Sequence, residues 1–347
     1  MSKSPRAVPV DLIHGNLVLP SVTVDSYSLE LREGGELIGD QASQTAFRSV
    51  LDEWRKRLNG RGRDPFGRIR TEDLSKAQID RAADTGDAIA AHTVDLAVEE
   101  FSQRLARVIG VFLQQSVWLG VERVIIGGGF KQSEIGEHTI HLAERLLHES
   151  GIDVELRPLH HEADDGGLIG WVHLAPPDLL KGHDAILAID IGGTNVRCGI
   201  VKIGAEMAKA RVVERRKWRH ADDDPARRDL IEGIVDMLRG MIAQAKKKGI
   251  RLAPFIGVGC PGFIRSDGSI ARGAQNLPGD WHSASFHLPR RLHENIPTID
   301  GAESVVLMHN DAVVQGLSEL PFVTHARRWA VLTIGTGLGN ASFTNRQ

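Results

Sequence analysis

The sequence holds only two cysteines in 347 residues, Cys198 and Cys260. That is too few for a disulfide framework and points to a reducing compartment. It also lacks an excess of positive charge. Lys and Arg number 42 against 45 Asp and Glu, a net charge of −3, which leaves no basic footprint for DNA or RNA. No uninterrupted apolar run approaches the ~20 residues of a membrane span. The opening residues MSKSPRAVPVDL contain no apolar signal-peptide core. A cytoplasmic protein without membrane or nucleic-acid partners is therefore expected. No GxxxxGK[ST] sequence occurs, so a phosphate site would have to be built another way. Short-period repeats and low-complexity tracts are absent too. What remains is ordinary, with 41% hydrophobic and 25% charged residues, enough apolar material for two cores.

Strand-like stretches fill residues 9–43, punctuated by Gly15, Pro20 and Gly34–Gly35. A charged helix is expected at Thr45–Leu58 and a loop at Asn59–Gly67. The clearest helix is Ala88–Gln115, where Val94, Val98, Phe101, Leu105, Val108 and Phe112 fall on one face. Arg123–Ile126 reads as a buried strand running into Gly127–Gly129, and Glu134–Ser150 as a helix ended by Gly151. Residues 175–184, APPDLLKGHD, have the composition of a linker. Beyond it, Ala185–Ile189 is a strand ending in Asp190. Pro225–Lys248 reads as a helix capped by Asp224, with Gly249 after its last turn. Phe255–Gly259 and Trp329–Ile334 are further buried strands. Strands alternating with helices indicate an α/β protein with sites at strand ends.

The strongest motif is Ala188-Ile-Asp-Ile-Gly-Gly-Thr-Asn195. A strand delivers Asp190 to its end, where it is suited to hold the hydrated Mg²⁺ of a nucleotide. Gly192 and Gly193 permit a tight turn whose N–H groups face phosphate, and Thr194 adds a hydroxyl. A second loop, Thr333-Ile-Gly-Thr-Gly-Leu-Gly339, again follows a strand. Alone it is a common strand turn; with the first it makes a pair able to clamp a triphosphate. Between them lies Met308-His-Asn-Asp-Ala312. Asp311 at a strand end suits a general base for a substrate hydroxyl, although an Asn-Asp pair is often only a turn or helix cap. Asn276 in Gln275-Asn-Leu-Pro-Gly279 offers a polyol both a donor and an acceptor. It and Gly259-Cys-Pro-Gly262 equally suit turns.

Together IDIGGTN, GVGCPG, QNLPG with the nearby Trp281, HNDA and TIGTGLG resemble, in order and spacing, the ROK family (repressor, open reading frame, kinase). The resemblance covers residues 185–341. It implies a two-lobed actin-like, ribonuclease H-like ATPase fold with a central cleft, and ATP-dependent phosphorylation of a hexose. By match, Asp311 resembles the catalytic base. Asp190, Gly192, Gly193, Thr194, Asn195, Gly335, Thr336 and Gly337 resemble the phosphate loops, with Mg²⁺ at Asp190. Asn276, Asn310 and Gly262 resemble sugar-binding positions. The partners implied are ATP, a small sugar and a second copy of the chain.

The order of parts departs from the family. Gly86-Asp87, the long helix and Glu122-Arg-Val-Ile-Ile-Gly-Gly-Gly129 look like the family's approach to its adenosine loop, with Gly127, Gly128 and Gly129 as that loop. Ala163–Gly170 looks like the start of its closing helix. The chain thus reads as circularly permuted, the alternative being an unrelated N-terminal domain whose Gly127–Gly129 is an ordinary turn. Residues 1–175 would supply the first part of the larger lobe, 176–184 a linker, 185–304 the smaller lobe, and 305–347 the return to the larger lobe. No ExGH sequence and no zinc-type cysteine motif is found. His14 could approach the substrate. His160, His161, Glu162, Asp164 and Asp165 suit a solvated polar turn better than a metal site. A non-catalytic sugar-responsive regulator and a kinase of a non-sugar acceptor are the alternatives. Against the regulator, residues 1–43 look strand-like and lack a basic recognition helix.

Overall fold

The computed structural model describes residues 13–59, 64–84, 87–274 and 276–346. The opening dozen residues, part of the 59–67 loop, Gly86 and Gln275 lie outside the described residues. The chain forms two compact units, each discontinuous in sequence. The first contains the described residues up to Asn16 and Trp171–Asn310; the second contains Leu17–Gly170 and Asp311 onward. Ten strands make up their two main sheets. In chain order these are β1 (Val22–Tyr27), β2 (Arg123–Gly127), β3 (Glu155–Pro158), β4 (Ala185–Ile191) and β5 (Val196–Lys202). They continue with β6 (Arg211–Trp218), β7 (Leu252–Cys260), β8 (Val305–Asn310), β9 (Arg328–Ile334) and β10 (Leu338–Asn345).

The first sheet has the order β6-β5-β4-β7-β8, in which β4–β5–β6 run antiparallel and β7 and β8 run parallel to β4. Central strand β7 is buried at every position, as expected where both faces are covered. Charged edge strand β6 exposes Arg211, Arg215, Arg216 and Lys217, which discourages pairing with another edge. Gly257 allows the Trp171 indole to lie on β7, since a Cβ there would come within 2.1 Å of the ring. The boundary expected at residue 175 therefore falls at Trp171. The one expected at 304/305 falls at Asn310/Asp311, because β8 is paired along its length with β7.

The second sheet reads β1-β10-β9-β2-β3. Here β9–β10–β1 are antiparallel, and β2 and β3 run parallel to β9. Residues 17–170 are thus no separate N-terminal domain; their strands share one sheet with the chain's last two. Both sheets have the same pattern, three antiparallel strands followed by two parallel ones on the other side of the first. In the first sheet chain order generates that pattern directly. In the second it emerges only if the count starts at β9 and continues from β10 to β1.

Among the helices that accompany the second sheet are α1 (Gln44–Asn59), α2 (Lys76–Asp84), α3 (Ala88–Leu113) and α4 (Glu134–Glu149). Helix α3 starts where the Asp87 carboxylate accepts from the N–H groups of Ile89 and Ala90. Its apolar face packs in the core with Phe47 and Phe130, whose rings meet Phe101 edge-on at 5.4 and 5.2 Å. Helix α4 ends as expected, with Gly151 at φ +79°. Two expectations differ. Helix α5 begins at Arg227 and runs to Lys247, because Asp224 takes φ +41° and Ala226 stands at the cap position without a capping side chain. The expected closing helix is only the short turn Gly166–Ile169. It packs on α6 (Asp311–Leu317) so closely that a Cβ at Gly170 would lie 1.8 Å from the Val314 carbonyl oxygen.

Candidate active site

In the first unit, β4, β7 and β8 are parallel, and their pairing sets Asp190 beside Gly259 and Asn310 beside Cys260. The residues singled out in the sequence therefore gather at one sheet end, where ligands of open α/β sheets bind. Asp190 is ion-paired with Arg197, its cross-strand partner on β5, at 2.9 Å, and both side chains are about 15% exposed. The 192–195 loop closes through the Gly192 N–H to the Asn195 carbonyl at 2.9 Å, and buried His220 donates Nε2–H to the Gly192 carbonyl. Neither Gly192 nor Gly193 takes a positive φ, contrary to the reason expected for them. Gly193 instead lies in close approach to Asn276, since a Cβ would stand 3.0 Å from the Asn276 Cβ and push that residue outward. Thr194 gives its carbonyl to the Ala221 N–H. Cys198, on the neighbouring strand, is fully buried, and burial pushes its thiol far above the ordinary value, so it is no nucleophile.

Asn310 is buried and donates Nδ2–H to the Gly262 carbonyl at 3.0 Å. Gly262 is needed for its backbone, with φ +99° and a would-be Cβ 2.2 Å from the Arg272 carbonyl oxygen. The sequence reading missed His309. Its Nδ1 accepts from the Asn310 N–H at 2.8 Å, so Nε2 carries the proton and donates it to the Asn16 carbonyl at 3.0 Å. His14 similarly accepts the Met308 N–H on Nδ1 at 3.0 Å. Segment 14–16 is thus laced onto the end of β8 beside Asn310.

Burial, reinforced by the neighbouring His14, lowers the His309 pKa to about 4. The folded state holds this ring neutral while the unfolded chain protonates near 6.5. Its contribution to stability is therefore complete above pH 6.5 and is lost as pH falls towards 4. A loss of roughly 2–3 kcal/mol is expected over that interval. Thermal melts at pH 7 and pH 4.5 should show it. His309→Gln, which keeps one donor and one acceptor, should lose less over the same interval; an equal loss would refute the assignment.

In the second unit, β9 and β2 are parallel, with Thr333 paired to Gly127, so the turns that follow them lie side by side. Gly128 has φ +83°, and a Cβ there would come within 2.4 Å of the Ile334 carbonyl oxygen. A Cβ on Gly127 would meet Gln315 Oε1 at 2.6 Å. The 335–337 turn closes through the Gly335 N–H to the Gly337 carbonyl. Helix α1 braces it: the Gln44 N–H donates to the Gly335 carbonyl at 2.9 Å and the Thr45 hydroxyl to the Thr336 carbonyl at 3.2 Å. Beside these turns lies a small pocket, with enclosed room for about one water, lined by Gln44, Phe47, Lys76, Ile79, Asp80 and Phe130. Asp311 begins α6, and its Oδ1 accepts from the Ala312 N–H at 2.9 Å.

The His160–Asp165 turn is more structured than expected. His160 stacks on Phe322 at 3.9 Å, and His161 shares a hydrogen bond with the Ser318 carbonyl. Glu319, which the sequence did not suggest, is buried there and accepts from the His160 N–H at 3.0 Å. Burial raises its pKa to about 7, against the opposing effects of the His160 hydrogen bond and Lys131. Its neutral, protonated carboxyl stabilises the fold most below about pH 4.5, and that contribution is lost as pH rises through 7. Glu319→Gln should therefore raise the melting temperature at pH 8, by the equivalent of roughly 2 kcal/mol, and leave it unchanged at pH 4.5. Equal effects at both pH values would refute this.

Residues 186–347 match the model of the ROK family. This stretch, just under half of the chain, resembles the ROK family. Asp190, the 192–195 loop, Gly262, Asn276, Asn310, Asp311 and the 335–337 turn all lie within the ROK segment; Gly127–Gly129 and all of the pocket lining lie outside it. The glucokinase of Thermotoga maritima is 27% identical over 162 residues, which are 46% of this chain and 44% of that one. The chain thus matches less than half the length of this curated relative. Among solved structures, a Cytophaga hutchinsonii protein assigned as a sugar kinase is 21% identical with a TM-score of 0.35, over 46% of this chain and 48% of its own. The Schistosoma mansoni hexokinase complexed with glucose is 14% identical with a TM-score of 0.33, over 86% of this chain and 55% of its own. Among the described residues no helix is long and apolar enough to cross a membrane.

Proposed function

We propose that the protein is an ATP-dependent kinase of a hexose or hexose-like sugar. The observation that carries this reading is the pair of glycine turns after parallel strands β9 and β2, set beside the pocket between α1 and α2. The turns present backbone N–H groups to phosphates, and the nucleoside lies along the open surface beside them. Asn276 and Asn310 bind the sugar hydroxyls. Asp311 takes the proton from the attacking hydroxyl, with its carboxylate held by the Ala312 N–H. Catalysis then rests on positioning and on stabilising charge.

The donor set fits Mg²⁺. Asp190 is one carboxylate at a strand end, and Mg²⁺ usually keeps several waters and takes one or two carboxylates beside phosphate oxygens. When bound, the ion neutralises phosphate charge. Arg197 meanwhile fixes the Asp190 side chain in position. The rotated chain order is part of the same reading. Its support is the repeated sheet pattern, which the second sheet completes only through β9, β10, β1, β2 and β3.

The test is a screen of hexoses and amino sugars with coupled detection of ADP, beside calorimetry for ATP. ADP release dependent on one sugar is the expected result. Binding of both ligands without any phosphosugar would make the protein a sugar sensor, and ADP release only with a non-sugar alcohol would change the acceptor class.

A further inference from the structure

Lys76 has no counterpart among the motifs read from the sequence, yet its ammonium donates to the carbonyl of Gly129. A Cβ on Gly129 would lie 2.9 Å from Lys76 Nζ and 3.0 Å from Gln44 Nε2. Gln44 in turn donates its side-chain amide to the Ile334 carbonyl at 3.1 Å and its backbone N–H to the Gly335 carbonyl. Lysine ammonium, adenosine-side glycine and phosphate-side turn therefore surround one point at the edge of the pocket that Lys76 also lines. The residue stands in the first turn of α2, the end of a helix where a cation is electrostatically disfavoured and an anion welcome. The chain has no Walker lysine.

We propose that Lys76 is the lysine that binds the nucleotide's phosphates, exchanging the neutral Gly129 carbonyl for phosphate oxygens when the nucleotide enters. The proposal rests on the ATP reading above and adds to it a residue outside the ROK segment. An ammonium–phosphate contact is charge-assisted and stronger than one to a carbonyl, so the exchange favours ligands by their phosphates and not by their base.

The experiment is calorimetric titration of the full chain with ATP, ADP, AMP and adenosine, for the parent and for Lys76→Met and Lys76→Arg. Lys76→Met should weaken ATP and ADP about 10–100-fold, as expected for losing one charged hydrogen bond. Adenosine should be unchanged, and Lys76→Arg should recover most of the loss. Melting curves without ligand report separately on the lost Gly129 contact. Equal weakening of ATP and adenosine would overturn the proposal by making Lys76 part of the base pocket, and so would unchanged affinity for all four. A parent that binds none of them would defeat the ATP reading itself, a result distinct from either.

Discussion

Asp311→Asn is expected to lower turnover of any accepted sugar by about 10²–10⁴-fold, the usual worth of general acid–base assistance and equivalent to ~3–5 kcal/mol of barrier. The amide has the size of the carboxylate, and its oxygen can still accept from the Ala312 N–H that fixes the side chain at the start of α6. It cannot take the proton. ATP affinity should hold, because the 335–337 and 127–129 turns are untouched, and sugar affinity should change little, since an amide still pairs with a hydroxyl. Single-turnover phosphorylation beside calorimetric binding separates these quantities. Turnover at the parent rate would remove Asp311 from its role. Loss of turnover together with loss of sugar binding would make it a substrate ligand instead.

Gly128→Ala should be strongly damaging where the 127–129 and 335–337 turns meet. The residue holds φ +83°, which costs an L-residue about 1–2 kcal/mol. The added Cβ would also press into backbone, 2.4 Å from the Ile334 oxygen and 2.8 Å from its nitrogen and carbonyl carbon. Backbone in a central strand cannot swing aside as a lysine tip can, so β2 and β9 must separate at their ends, at a further cost of about 1–3 kcal/mol. A fall in melting temperature of about 3–7 °C is expected, with at least a tenfold loss of ATP affinity because both turns shift. Gly192→Ala is the control. Its nearest foreign atom would be the Asn195 oxygen at 3.4 Å, and its φ is not positive, so stability should stay within about 0.5 kcal/mol of the parent. If the two variants melt alike, the crowding at Gly128 is not what holds the turns together.

The elements were legible where periodicity and punctuation agree. Helix α3 lies within the expected span, and the buried strands β2, β4, β7 and β9 lie where apolar runs end in glycine or aspartate. Asp224 shows where local reading fails. A capping residue before proline is only an option for the backbone, and here Asp224 adopts a left-handed conformation while the helix starts three residues later. The glycines of the 192–195 loop were found for the wrong reason. Their motif is visible in the sequence, whereas the close approach of Asn276 to Gly193 comes from a residue some eighty positions away.

By itself the sequence determined the α/β class, the ROK segment and the candidate chemistry at Asp190, Asn310, Asp311 and the two glycine loops. Each of these is written in contiguous residues, since a strand, a tight turn and a terminal carboxylate are local objects. Only the tertiary structure decided that β1, β2 and β3 join β9 and β10 in one sheet. Only it brought His309 to Asn310 and Asn16, buried Glu319 behind His160, and set Lys76 and Gln44 against Gly129. Those side chains belong to no motif. What places them is pairing and packing between segments up to about 290 residues apart, as in the Gln44–Ile334 bond. Such long-range contacts arise from the burial of whole faces, which no local pattern encodes.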